Sequence, residues 1–238
     1  MSDINETAGG STSGRKGALM ELMRHPILGV LVVLVVIFVA SALLSPYFLT
    51  PYNLSVVARG LAFVALVTIG QASLMILGEL DLSLGTIGGL SGILVGMLMV
   101  NVGLNPWLAI LIALAIGSAL GFINGFLTAK LKLHSLVLTI GTAGIYGGAI
   151  LVLTRGVAIT GIPREIQFLG RGSLLGVPMP FIIMLVMLAA GAFLTLKTPF
   201  GRYMYAIGNN RDAARMLGIP ADRTRILVFV MAGFLSAL

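Results

Sequence analysis

Two carboxylates lie where an otherwise apolar sequence is interrupted. Glu79 and Asp81 belong to the segment GELDLSLG, which separates two long apolar runs. An ionisable side chain near membrane depth is costly, so it is a functional candidate by default. The pair could line a solute path, take up a proton or mark a turn. Because Gly78 and Gly85 flank the same segment, we favour a turn or a conformational hinge.

Further polar side chains are embedded in the apolar runs and could face a hydrophilic solute. Each could instead hydrogen-bond a neighbouring helix, which is worth about 1 kcal/mol or less and is the better interpretation of any single residue. Tyr146 is one of these side chains. The predicted set of translocation-path or hinge residues comprises Gln71, Asp81, Ser83, Asn124, Thr139 and Thr142.

The sequence lacks the patterns of an enzyme. It has no cysteine and no zinc-protease or serine-hydrolase motif, and its two histidines, His25 and His134, lie at the ends of apolar runs. GGSTSGRK near the N-terminus resembles a phosphate-binding loop, but arginine replaces the required lysine. We therefore expect no catalytic residue, no metal site and no bound cofactor. Energy for uphill transport would have to come from a partner or an ion gradient.

Composition identifies an integral membrane protein. Of 238 residues 58% are hydrophobic and only 10% are charged, with a mean hydropathy of +1.08. The predicted fold is an all-α, polytopic transmembrane bundle whose glycines, at four-residue spacing, allow helices to pack closely within one chain. About seven spans are predicted: 27–44, 56–77, 82–100, 106–128, 136–153, 178–196 and a run from 226. Since the last run has 13 residues and a span needs about 20, we expect the transmembrane region 27–238 to be C-terminally incomplete.

The formal net charge is +7, but the basic residues lie at the ends of apolar spans, so we expect no nucleic-acid partner. Lysine and arginine are distributed unequally between the two sides of this bundle. If GELD is a true turn, one side carries 11 of them and the other carries four. The positive-inside rule then places the polar, disordered segment 1–26 and the loop 197–225 in the cytoplasm. The largest outer segment is 154–177, which contains Arg155, Arg164, Glu165 and Arg171.

The loop 197–225 contains a short predicted helix. Asn209 or Asn210 can cap it and Gly218 can end it, which leaves two turns from Arg211 to Leu217. The helix combines charged residues with alanine, methionine and leucine. Two interpretations remain open at this point: the helix fits a groove in another protein, or it lies on lipid headgroups.

Three segments resemble one family. GELDLSLGTIGGLSG (78–92), GFINGFLTAKLKLHSLVLTIGT (121–142) and TPFGRYMYAIGNNRDAARMLGI (198–219) are similar to membrane permease subunits of bacterial ABC importers of the ribose and xylose class. The family usually has glycine-isoleucine-aspartate where this chain has Glu79-Leu80-Asp81. Asp81 therefore matches the family pattern and Glu79 departs from it.

The resemblance implies that region 27–238 is a permease domain, part of a multi-pass subunit of the bacterial inner membrane that imports a monosaccharide or related solute by alternating access. The implied partners are a second permease copy or paralogue, cytoplasmic ATP-binding subunits that use the ATP, and a periplasmic solute-binding protein. Arg155, Arg164, Glu165 and Arg171 become candidates for receptor docking. The implied ATPase-docking coupling helix comprises Asn210, Arg211, Asp212, Ala213, Ala214, Arg215, Met216, Leu217 and Gly218.

Two other functions are consistent with the residues. One is an ion-coupled secondary transporter that uses Glu79 or Asp81 as its coupling site. The other is a membrane scaffold without transport activity.

Overall fold

The structure, a computed structural model, describes residues 26–238, so the predicted disordered segment 1–26 lies outside it except for Pro26. The described residues form two compact units, 26–56 and Val57–Leu238. Described residues 26–238 contain ten helices and a single two-stranded hairpin, which confirms the all-α prediction.

The first unit contains helix α1 (Pro26–Leu44) and the beginning of α2 (Pro51–Ile76). A turn joins the two helices. The Asn53 side chain donates a hydrogen bond to the carbonyl of Phe48 at 2.8 Å, and the Phe48 ring meets Phe38 edge to face at 5.2 Å between centroids. The Thr50 hydroxyl donates a further hydrogen bond to the carbonyl of Tyr47 at 2.7 Å, so side-chain hydrogen bonds and an aromatic contact hold the turn.

The second unit contains the remaining elements. They are α3 (Leu84–Val100), α4 (Pro106–Lys130), α5 (Ser135–Thr154), α6 (Arg164–Arg171), the antiparallel strands β1 (Ser173–Leu174) and β2 (Val177–Pro178), α7 (Met179–Lys197), α8 (Pro199–Asn209), α9 (Arg211–Met216) and α10 (Ala221–Ala237). A helix is present at each of the seven predicted spans. In the described part of the chain, four helices, α2, α4, α5 and α7, are long and apolar enough to cross a membrane, and the apolar parts of α1 and α3 are shorter.

Glycines bring α4 and α10 into backbone contact. A Cβ atom at Gly121 would collide with the carbonyl oxygen of Phe229, and one at Gly125 would lie 3.0 Å from the Cα of Ile226. Gly233 on α10 meets α4 in the same way. In lipid, where the hydrophobic effect does not drive helices together, such close contact supplies the packing energy. The predicted glycine face of α4, formed by Gly117, Gly121 and Gly125, therefore packs within the chain.

The charged residues of the second unit collect at two opposite ends. Glu79 and Arg211 form an ion pair, and Lys130 lies 3.8 Å from Asp222. We call the region formed by residues 77–83, 128–135 and 197–225 the charged end. At the other end Arg59 donates a hydrogen bond to the carbonyl of Arg171 at 2.9 Å. Arg59 lies near the start of α2 and Glu79 lies just after its end, so α2 runs from one end of the unit to the other. The break at GELD is therefore a true turn between α2 and α3.

Candidate functional site

Helix α2 ends in a glycine-dependent cap. Gly78 has φ +74°, a conformation that costs glycine little, and its N–H donates to the carbonyl of Met75 at 3.0 Å. The next N–H, that of Glu79, donates to the carbonyl of Leu74 at 3.0 Å. This pair of bonds is a Schellman motif. It ends the helix shortly before Glu79, and α3 begins only at Leu84.

Glu79 is the centre of a buried ion cluster. Its Oε1 accepts from Nη2 of Arg211 and from Nη2 of Arg225, each at 2.6 Å. The side chains of Glu79 and Arg225 are 5% and 4% exposed, whereas that of Arg211 is 37% exposed. One carboxylate thus faces two guanidinium groups, and the buried pair with Arg225 is the more tightly enclosed.

Asp222 extends this cluster toward solvent. Its Oδ1 accepts from Nη2 of Arg215 at 2.7 Å, and Lys130 Nζ lies 3.8 Å from its Oδ2. Burial raises the pKa of Asp222, but the hydrogen bond and charge of Arg215, together with Lys130, outweigh it, so the pKa lies below its ordinary value. We refer to Glu79, Asp222, Arg211, Arg215 and Arg225 as the ionic cluster.

A second network, of hydrogen bonds, surrounds Asp81. The Asp81 carboxylate accepts from the Ser83 N–H at 2.7 Å, from the Ser83 hydroxyl at 2.6 Å and from the Asn124 amide at 3.2 Å. Asn124 also donates to the Ser83 hydroxyl oxygen at 2.8 Å and accepts from the Tyr146 hydroxyl at 3.4 Å. Asp81, Ser83 and Asn124 are all buried. Hydrogen bonding of this kind is what makes burial of a carboxylate tolerable.

Side chains also support the exposed backbone of the helix break. The N–H groups of Leu80, Asp81 and Leu82 donate to Ser135 Oγ at 3.3 Å, Gln71 Oε1 at 3.4 Å and Thr139 Oγ1 at 3.1 Å. Thr142 lies one turn further along α5 and donates to the carbonyl of Thr139 at 3.4 Å.

The structure thus brings five of the six predicted path or hinge residues to the helix break, whereas Thr142 lies one turn further along α5. We call all six, with Ser135 and Tyr146, the polar cluster. The role of Ser135 was not predicted from the sequence. Ser135 is the first residue of α5, and nothing in the sequence around it indicates a contact with GELD. It also assigned no role to the Glu79 pair with Arg225, since the two residues are far apart in sequence.

The predicted coupling helix is present as α9. Asn210 Oδ1 accepts from the N–H groups of Asp212 and Ala213 at 3.1 and 3.0 Å, as expected for a capping residue. Gly218, with φ +78°, closes the helix in a second Schellman motif. The predicted end at Leu217 is one residue too late, because Leu217 is the C-cap.

The faces of α9 differ in exposure. Met216 is 90% and Leu217 is 80% exposed, and Ala213 is also exposed. Ala214 is buried in the hydrophobic core of the unit, so it supports the helix from inside. Asp212 points to solvent with a side chain that is 92% exposed.

Helix α8 was not predicted from the sequence. Thr198 caps its N-terminus, Pro199 occupies its first turn, and its buried Met204 and Ile207 join the core. Gly208 lies so close to the end of α2 that a Cβ would collide with the carbonyl oxygen of Ile76. Helix α8 therefore attaches the loop containing α9 directly to the helix break.

The four predicted receptor-docking residues lie at the end opposite the charged end. Arg164, Glu165 and Arg171 share helix α6, and all are exposed. Arg155 is the exposed C-cap of α5, in the left-handed region with φ +52°. Within residues 26–238, no group of three or more potential metal-ligating side chains was found.

Comparison with known proteins gives one family. Residues 53–238 match the family described as branched-chain amino acid transport system / permease component. The match covers α2 through α10, and thus the ionic cluster, the polar cluster and α9.

Several curated proteins are similar to this chain. The ribose import permease protein of Bacillus subtilis (strain 168) is 39% identical over 215 residues, covering 90% of this chain and 65% of that protein. The autoinducer 2 import system permease protein of Escherichia coli (strain K12 / DH10B) is 36% identical, with coverages of 87% and 60%. The L-arabinose transport system permease protein of E. coli (strain K12) is 35% identical, with coverages of 88% and 64%.

The chain thus spans less than two thirds of the length of these relatives. No solved structure matches it significantly.

Proposed function

We propose that this chain, which belongs to the family of branched-chain amino acid transport system permease components, is the transmembrane permease subunit of an ATP-driven importer. Its cargo would be a monosaccharide or a related small polar solute, since the similar proteins are named for ribose, autoinducer 2 and L-arabinose. The chain is a multi-pass membrane protein. We place it in the bacterial inner membrane with its N-terminus and charged end in the cytoplasm, as the lysine and arginine distribution predicts.

The observation that carries this proposal is the construction of α9. It presents two highly exposed apolar side chains, Met216 and Leu217, at the charged end of the molecule. Its first residue, Arg211, is tied to Glu79 at the helix break. Such a helix suits a groove in another protein, because exposed apolar side chains gain free energy by burial and methionine adapts to its surroundings.

These contacts suggest how force on α9 would reach the membrane region. When ATP closes a pair of ATP-binding subunits, α9 would move with them and pull on Glu79 through Arg211. Glu79 lies two residues from Asp81, so movement of the break would alter the polar cluster around Asn124. Alternating access would follow as two permease subunits, identical or paralogous, change their relative tilt around the solute path.

The partners occupy opposite ends in this proposal. Cytoplasmic ATP-binding subunits contact α9, and the ATP is bound and hydrolysed there, so this chain needs no cofactor of its own. A periplasmic solute-binding protein contacts the exposed face of α6, where Arg164, Glu165 and Arg171 project. Because that receptor would select the solute, the path itself need bind it only weakly.

Ion-coupled transport is not favoured. The Glu79 carboxylate is already neutralised by two arginines, and the Asp81 carboxylate accepts three hydrogen bonds. A coupling ion would have to displace these partners. A scaffold without transport activity would not require five polar side chains to converge on one helix break.

Recruitment of the ATP-binding subunit tests the proposal. We would co-express the protein with its ATP-binding subunit and measure co-purification for Leu217→Glu and Met216→Glu. A charge at either position should reduce co-purification at least tenfold, because the carboxylate would have to be desolvated in the apolar groove. Ala214 is unsuitable as a probe, since its burial means that Ala214→Arg would disturb the fold.

The matched control is Tyr205→Glu, which adds the same charge to a 48% exposed residue of the neighbouring α8. It should retain the ATP-binding subunit. Normal recruitment by Leu217→Glu and Met216→Glu would contradict the docking role and favour a helix that lies on lipid headgroups.

A further inference from the structure

A cavity of about 500 Å³ opens at the charged end, between α9 and the loop that joins α4 to α5. Four basic side chains line it, those of Lys132, Arg211, Arg215 and Arg225, against the single carboxylate of Asp212. The cavity is within the size range of small-ligand sites. Glu79 and Asp222 balance part of this charge behind the lining, and the positive charge that remains favours an anion.

The positive charge is incompletely balanced in the structure. Arg211 and Arg225 share one oxygen of one carboxylate, that of Glu79. Their Nε atoms are both buried and have no hydrogen-bond partner among residues 26–238. The basic side chains that an entering anion could reach are the exposed Lys132 and the partly exposed Arg211 and Arg215, since Arg225 is almost fully enclosed. An anion among them would add charge-assisted hydrogen bonds, which are stronger than neutral ones.

A phosphate group has the chemistry that this lining requires. It offers several acceptor oxygens, and guanidinium groups bind such oxygens in a bidentate manner. Asn209 adds a neutral side chain to the same wall. A neutral sugar would satisfy donors without balancing the charge, so it fits this cavity less well.

The surroundings point to a lipid as the source of the phosphate. Leu133 presents exposed apolar surface to the cavity beside the basic residues, whereas the lining residues Leu77 and Ile207 belong to the core. The membrane-spanning helix α4 ends at Lys130, immediately before Leu131, which is 58% exposed, and Leu133, which is 44% exposed. Basic cavities at the ends of membrane helices are where anionic headgroups bind. We propose that this cavity binds the phosphate group of an anionic phospholipid.

A binding measurement on the purified protein in neutral detergent tests this. Calorimetric titrations would compare dihexanoyl phosphatidylglycerol, dihexanoyl phosphatidylcholine and inorganic phosphate. Phosphatidylglycerol should bind more tightly than either of the others. A basic residue near an anionic lipid contributes about 1 kcal/mol, so Lys132→Gln should weaken phosphatidylglycerol binding about fivefold.

The matched control is Arg202→Gln, which removes an exposed basic residue of α8 that does not line the cavity. It should change the affinity by less than about twofold, because a charge outside the site contributes only a screened, long-range attraction. Equal weakening by Lys132→Gln and Arg202→Gln would overturn the proposal, as would equal affinity for the two phospholipids. Inorganic phosphate binding as tightly as phosphatidylglycerol would instead assign the site to a free phosphate and overturn the lipid source.

Discussion

Removal of the Glu79 charge should destabilise the protein mainly through Arg225. In Glu79→Gln, Arg211 can turn toward water because its side chain is 37% exposed, but Arg225 is 4% exposed and stays behind as a buried, unpaired charge. Breaking a buried ion pair from one side costs about 3–5 kcal/mol. Since glutamine keeps one acceptor oxygen, we expect a loss of about 3 kcal/mol, at the lower end of that range.

The two arginines should contribute unequally. Arg211→Gln removes a partly exposed partner and should cost about 1 kcal/mol or less, as for surface pairs. Arg225→Met in the Glu79→Gln background removes the stranded charge, so the double variant should recover about 2 kcal/mol of the loss. The recovery is the decisive quantity, because it shows whether an unpaired charge on Arg225 causes the loss; the single variant Arg225→Met completes the double-mutant cycle that isolates the interaction between the two side chains.

Unfolding by sodium dodecyl sulfate in mixed micelles would give these free energies. Glu165→Gln is the control, because it neutralises an exposed carboxylate at the opposite end. If Glu79→Gln lost no more stability than Glu165→Gln, or if Arg225→Met rescued nothing, the interpretation of the ionic cluster would be wrong.

Three further perturbations test other parts of the structure. Gly121→Ala should disrupt the packing of α4 on α10. Gly92→Ala is the control and should fold normally, because its Cβ would meet no atom within 4 Å. The yield of monodisperse protein would show the difference. Folding lowers the pKa of Asp222, so this carboxylate contributes its full stabilisation at pH values above its ordinary pKa of 3.8. That stabilisation is lost as the pH falls through the lower pKa of the folded protein. Asp222→Asn should therefore weaken the pH dependence of stability, as measured by acid unfolding curves. The amide nitrogen of Asn124 lies 3.2 Å from the Asp81 carboxylate, so Asn124→Asp would place a second carboxylate beside the first. Repulsion between the two charges should abolish solute uptake in liposomes.

The broad architecture could be predicted because it follows from local signals. Long apolar runs locate the membrane helices, and glycine and proline locate their ends. The cap of α9 followed from Asn210 and its end from Gly218, two residues whose preferences are set by backbone hydrogen bonds and positive φ.

Pairings between distant residues could not be predicted in the same way. Glu79 contacts Arg211 and Arg225, which lie more than a hundred positions away, and no local pattern specifies which of the basic residues it meets. Helix α8 was also missed, since its short amphipathic sequence lies within a segment whose charges suggested a loop. The residues predicted for the path were identified only as polar groups; the convergence of five of the six on the helix break depends on the tertiary fold.

ATP hydrolysis by the reconstituted complex tests the central claim most directly. The full-length protein, its ATP-binding subunit and its solute-binding protein would be placed in liposomes, and hydrolysis would be measured with receptors loaded with a panel of sugars. We expect one loaded receptor to stimulate hydrolysis in the wild type and not in Leu217→Glu. Stimulation that is unchanged in Leu217→Glu, or a complex that recruits no ATP-binding subunit at all, would contradict the account.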